Sequence, residues 1–177
     1  MDLYLFLIIV HLIGAILGVG GATMIEVHLA KALENKKMSK DERAILGTDY
    51  TIVRIGLILG ILSGFGLLVM YKTSGQTFRL YDPMLWAKLS IIIVIAVNAI
   101  LLQAQKMSLY WGATLSFVSW WVVVILSVFM SDGVKIDFFG NYTFLSTYIS
   151  VIVMYVVLIL FGAVILDFIR KRLRIVS

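Results

Sequence analysis

Residues 3–33 read LYLFLIIVHLIGAILGVGGATMIEVHLAKAL. The run is long enough to cross a bilayer, for which roughly 20 apolar residues suffice. It also holds both histidines of the chain, His11 and His28, together with a carboxylate, Glu26. Small residues recur in it at four-residue spacing: Gly14, Gly18 and Ala22. A lipid-soluble helix that carries ionisable groups and a small-residue stripe defines the fold class as all-α and polytopic.

Four further runs have the same character, at residues 48–71, 84–105, 109–130 and 143–169, and the first spans residues 3–30. Five transmembrane helices are therefore expected, forming one membrane domain over residues 1–177. The joining segments are a basic loop (34–47), a mixed loop (72–83), a tight turn (106–108) and a loop at 131–142. Of 177 residues, 62% are hydrophobic and 14% charged, a composition that excludes a soluble domain or a nucleic-acid-binding module. Without cysteine, the chain has no disulfide, thiolate metal site or covalent c-type haem. Asp2, not a basic region, precedes the first span, and that span exceeds the core of a signal peptide, so it is read as a retained helix.

The placement of Lys and Arg sets orientation. With the N-terminus outside, the inner side receives Lys31, Lys36, Lys37, Lys40, Arg43, Lys106, Arg170, Lys171, Arg172 and Arg174. The outer side receives only Lys72, Arg79, Lys88 and Lys135, and Arg54 falls inside the second span. The expected arrangement is a multi-pass protein of the cell membrane, N-terminus out and C-terminus in. The basic tail after residue 169 suits the anionic inner interface as a snorkelling anchor, or a partner as a docking tail. Ser39 with Glu42 three residues later is a capping-box pattern, which predicts a short helix leading into the second span. Asn141-Tyr142-Thr143 is a glycosylation sequon on the outer side.

Small residues let helix backbones approach closely in lipid. Gly14, Gly18 and Ala22 on the first span and Gly56, Gly60 and Gly64 on the second form two complementary stripes, so the first two helices should face each other along them. At about 100° per residue, His11 and Glu26 share the broad glycine face of the first span. On the second, Asp49 shares the glycine face and Arg54 points nearly opposite. Arg54 must therefore find another helix, a partner subunit or a ligand, because an unpaired arginine in lipid costs at least ~2.5 kcal/mol.

Several side chains carry possible chemistry. His11, roughly 12 Å into its span, is either a neutral imidazole bonded to a neighbouring helix or a haem or metal ligand. His11 and His28 are about 25 Å apart along the helix and cannot grip one iron. Glu26, His28, Asp49 and Arg54 are candidates for an ion or proton site, the alternative being that Asp49 caps the second span and Glu26 reaches the interface. Lys88 can snorkel to the outer interface, Asn98 can bond between helices, and Trp120 and Trp121 can pack on a porphyrin or fill the core.

The run His11-Leu12-Ile13-Gly14 with Gly21, and the run Leu85-Trp86-Ala87-Lys88-Leu89, resemble the first and third helices of the CopD-like and HemJ-like membrane superfamily. The pattern departs at Gly18, where that superfamily has tryptophan, at Glu26, where a basic residue is expected nearby, and at Asn98, where a histidine is. HemJ is a haem-binding protoporphyrinogen oxidase, and CopD-type proteins are associated with copper uptake. The resemblance implies a haem-binding or redox-associated membrane protein holding haem b, with His11 as the iron ligand and Lys88 as a second cofactor residue. Two other functional classes fit the residues: a small ion, proton or metal transporter built on Glu26, His28, Asp49 and Arg54, and a non-catalytic subunit of a larger membrane complex or homo-oligomer.

Overall fold

The computed structural model describes residues 2–34 and 38–176. Five long helices follow one another: α1 (Leu3–Glu34), α2 (Lys40–Thr73), α3 (Pro83–Gln103), α4 (Leu109–Ser131) and α5 (Phe144–Val176), with one 3-10 turn, Thr77–Tyr81, before α3. All five are long and apolar enough to cross a membrane. Lys36 and Lys37, two of the basic residues weighed for orientation, lie outside the described residues, as does the side chain of Arg174.

Local chemistry fixes where the helices begin. The Glu42 amide donates to Ser39 Oγ at 3.1 Å, and the Ser39 amide donates to Glu42 Oε2 at 2.7 Å, so the expected capping box is present. Asp82 accepts from the Met84 amide at 2.9 Å, with Pro83 in the first turn where its missing N–H is harmless. Thr143 and Ser146 cap the start of α5 reciprocally, each hydroxyl accepting from the other residue's amide.

The helix launched at Ser39 is not a short separate element. It runs unbroken into α2, so most of the expected loop at 34–47 is helical. Polarity made that segment resemble a loop, but its residues are good helix formers, and Asp41 and Glu42 complement the helix dipole. Asp49 is therefore not a cap for α2. It sits more than two turns inside and is buried.

Helices α1, α2 and α5 contain 32, 34 and 33 residues. At 1.5 Å per residue they are roughly 50 Å long, against a hydrocarbon core of about 30 Å. Alternating chain direction brings their extra turns to the same end of the bundle, the end that holds Glu26.

Helix α4 is the most enclosed, with α1, α3 and α5 all packed on it. Helix α2 packs extensively on α1 and has no comparable contact with α3. The α1–α2 contact follows the two glycine stripes. A Cβ on Gly14 would stand 2.7 Å from the Gly60 nitrogen, and one on Gly56 would stand 2.6 Å from the Gly18 nitrogen. Both obstacles are backbone, which cannot rotate aside. At the outer end of the stripe Gly64 faces His11 instead of a glycine, and at its inner end Ala22 is fully buried in the core.

The α4–α5 connection is folded around Asp137. Its carboxylate accepts from Ser146 Oγ at 2.6 Å and from the amides of Tyr142 at 2.6 Å, Phe139 at 2.8 Å and Gly140 at 3.2 Å. These bonds hold Tyr142 in a left-handed conformation, φ 48°. The Ser146 hydroxyl first, and the three amides with it, lower the Asp137 pKa below the ordinary aspartate value.

Two tests follow from this packing. Gly56→Leu should lower the thermal midpoint in detergent, with a loss of at least ~1–3 kcal/mol. Gly20→Leu, at a position with open space where Cβ would stand, should leave the midpoint within error. A carboxyl-carbon NMR titration of Asp137 in micelles should give a midpoint below that of a free aspartate. Because the folded pKa is depressed, the loop's stabilisation is present above the unfolded value and is lost as pH falls through the folded one. Asp137→Asn should remove that acid transition.

Candidate functional site

Helices α2 and α3 stand apart, and the space between them is a cleft at the His11 end of the bundle. Two adjoining cavities, of about 390 and 990 Å³, share His11, Gly60, Lys88 and Ser127 among their walls. The larger size lies at the top of the range usual for small-molecule sites. The walls are mainly aliphatic. Tyr71, Arg79, Trp86 and Met130 line the larger cavity, and Trp120 lines the smaller.

The glycine seam delivers His11 to this cleft. His11 leaves α1 beside Gly64 of α2, whose missing Cβ makes room for the imidazole. Its Nδ1 lies 3.2 Å from the Gly60 carbonyl oxygen and 3.1 Å from Ser63 Oγ. The single hydroxyl proton of Ser63 is already donated to a carbonyl, Leu59 O at 2.5 Å. Both neighbours of Nδ1 are therefore acceptors, and Nδ1 must carry the proton. In the neutral ring, Nε2 then bears the lone pair, and no group among the described residues occupies it. A backbone carbonyl fixing the tautomer in this way is the usual support behind a metal-binding histidine.

Lys88 reaches the same cavities from α3 and makes no ion pair among the described residues. Gly60 has nothing within 4 Å of where its Cβ would stand, so this stretch of α2 leaves a flat open face beside His11. These residues fit a planar, apolar cofactor with acidic groups: a nitrogen ligand, a flat wall and a cation. Met130 offers a soft lone pair on the same wall, whereas no cluster of three histidine or acidic side chains suited to a metal ion exists among the described residues. Trp120 is buried with its ring against Gly18, and Trp121 is largely exposed.

The four residues expected near the other end do not form one group. His28 Nδ1 lies 2.6 Å from Asp49 Oδ2, joining α1 to α2. Glu26 turns instead towards α5, where Arg170 Nη2 donates to its Oε2 at 2.5 Å. The same nitrogen donates to Thr114 Oγ1 at 3.1 Å, and the guanidinium lies 4.1 Å above the Tyr110 ring. Tyr110 donates to Asp167 Oδ1 at 2.5 Å, and Asp167 pairs with Lys171 at 2.6 Å. Arg54 is half-buried, lies near Tyr50 and forms no ion pair among the described residues. Arg170 is thus not a surface anchor; it is 3% exposed. Helical phase carried the signal: Arg170 lies about 60° from buried Tyr155 around α5, whereas Lys171 lies about 160° away. Asn98 bonds between helices, donating to the Gly112 carbonyl at 2.8 Å.

No protein-family model matches the chain, and neither a curated protein nor a solved structure matches it.

The tautomer of His11 is directly measurable. Nitrogen NMR on the labelled protein should show Nδ1 protonated and Nε2 bare. Ser63→Ala removes one of two acceptors, with a loss of about 1 kcal/mol, and should admit the other tautomer. A bare Nδ1 in the parent protein would refute the assignment.

Proposed function

We propose that this chain is a haem-binding, redox-associated protein of the cell membrane, N-terminus outside and C-terminus inside. The α2–α3 cleft would hold haem b, with His11 supplying a nitrogen ligand. The observation that carries this reading is His11 on the wall of a large apolar cavity, with its Nδ1 anchored by the Gly60 carbonyl and Ser63 so that Nε2 keeps the lone pair. The motif resemblance at His11 and Lys88 supports it, since both residues line one cavity. Accumulation of Lys and Arg at the Glu26 end supports the orientation.

When bound, haem supplies an iron that exchanges single electrons. The chain's own residues do the rest. Gly60 and Ser63 hold the imidazole ring and keep its lone pair on Nε2. Gly60 leaves open space beside the imidazole where a flat macrocycle would fit. Lys88, with Arg79 at the cavity wall, provides positive charge for acidic substituents. The aliphatic walls exclude water and strengthen that attraction.

The test is an absorption spectrum of detergent-purified protein from haem-replete cells, as isolated and after dithionite. A Soret band that shifts on reduction is expected. His11→Ala should abolish it, and Lys88→Ala should lower haem affinity at least about tenfold. A colourless parent protein, or an unchanged spectrum in His11→Ala, would overturn the proposal.

A further inference from the structure

The Glu26 end of the bundle contains an unusual concentration of unmatched hydrogen-bonding groups. Glu26 Oε1, Tyr50 Oη, and both Nε and Nη1 of Arg170 are buried and meet no partner among the described residues. Arg170 is 3% exposed and Glu26 6%. Tyr50 lies within electrostatic range of Glu26, Arg170 and Arg54, so the unmatched atoms belong to one neighbourhood. Buried polar atoms in folded proteins are almost always satisfied, by protein or by ordered water. Four such atoms in one neighbourhood therefore call for a guest.

The chemistry of the guest is restricted. It must accept from Arg170 and donate to Glu26 Oε1. An anion would meet the Glu26 carboxylate, and a cation would meet the Arg170 guanidinium. A neutral molecule that both donates and accepts satisfies all four atoms, and water is the smallest such molecule.

Its surroundings give the site a direction. From Arg170, polar groups continue past the Tyr110 ring to its hydroxyl, Asp167 and Lys171, and Lys171 is exposed, whereas Thr114 donates to the Tyr110 main-chain carbonyl. Towards the His11 cleft the way is closed. Ala22 and Ile25 are fully buried, and the Trp120 ring occupies the space at Gly18.

We propose that Glu26, Tyr50 and Arg170 enclose a hydrated proton-binding site, separate from the His11 cleft and reached from the Glu26 end alone, in which Glu26 takes up the proton. The step is a transfer from a hydronium ion entering past Asp167 to Glu26 Oε1, leaving water behind; no electrons move. Oε1 then changes from acceptor to donor, with the water left behind as its acceptor, and Arg170 keeps its bond to Thr114. The charged and titratable groups around the site are His28 on α1, Asp49, Tyr50 and Arg54 on α2, Tyr110 on α4, and Asp167, Arg170 and Lys171 on α5. The closed side makes this a site that loads a proton without conducting it through the bundle.

Infrared difference spectroscopy on the full chain in lipid nanodiscs tests this, by comparing neutral with acidic pH in H₂O and in D₂O. A protonated-carboxyl band that shifts in D₂O, together with changes in bound-water stretches, is expected. The band should vanish in Glu26→Gln and persist in Asp49→Asn and Asp167→Asn. Tyr50→Phe, which keeps the buried ion pair and so guards against a variant that fails to fold, should shift the band and its midpoint. A parent protein with no such band, or a band indifferent to both Glu26→Gln and Tyr50→Phe, would overturn the assignment of Glu26. In liposomes enclosing a pH-sensitive dye, the parent protein should carry no sustained proton current, and a sustained current would overturn the one-sided geometry.

Discussion

Everything at the His11 end depends on how closely two backbones approach. Gly14 and Gly56 bring α1 and α2 to a distance at which even one methyl group would strike main-chain atoms. In lipid there is little hydrophobic gain from bringing apolar helices together, so close van der Waals contact must do the work. The same approach places the Gly60 carbonyl and Ser63 within reach of His11. The seam thus acts twice, as the bond between helices and as the mount for the imidazole. A looser contact would leave a mobile ring with no fixed tautomer.

Because α2 spends its packing on α1, its other faces remain available. Helix α4 gathers α1, α3 and α5 into the core, and α3 consequently stands away from α2. The cleft is what remains between a hairpin held by glycines and a bundle held by α4. Its walls come from α1, α2, α3 and α4, and that is why residues as distant in sequence as His11 and Lys88 meet there.

Spans, seam and capping box were legible in the sequence because each is a local pattern: hydropathy over about 20 residues, glycines four apart, Ser39 three residues before Glu42. His11 and Lys88 stood out as polar groups in apolar runs. The extent of α2 is not legible from hydropathy, because polarity reports solvation and the capping chemistry at Ser39 launches a helix whether or not lipid surrounds it. The partner of Glu26 was harder still. Arg170 belongs to a run of basic residues that suits any inner-face anchor, and only its phase on α5 separates it from Lys171. Ser63 and Thr114 are small hydroxyl residues of a kind common in membrane helices, and nothing in their neighbours marks them as partners of His11 and Arg170.

The Glu26–Arg170 pair joins residues 144 positions apart in the chain. During synthesis, four helices are already made before the arginine leaves the ribosome. Until it arrives, Glu26 is a carboxylate in a nonpolar setting with no counter-charge, a state several kcal/mol less favourable than the paired one. Packing of the five helices described is therefore reported by α5, whose Arg170 supplies the counter-charge. A chain that stops before α5 leaves a buried carboxylate without its counter-charge at the Glu26 end of the bundle.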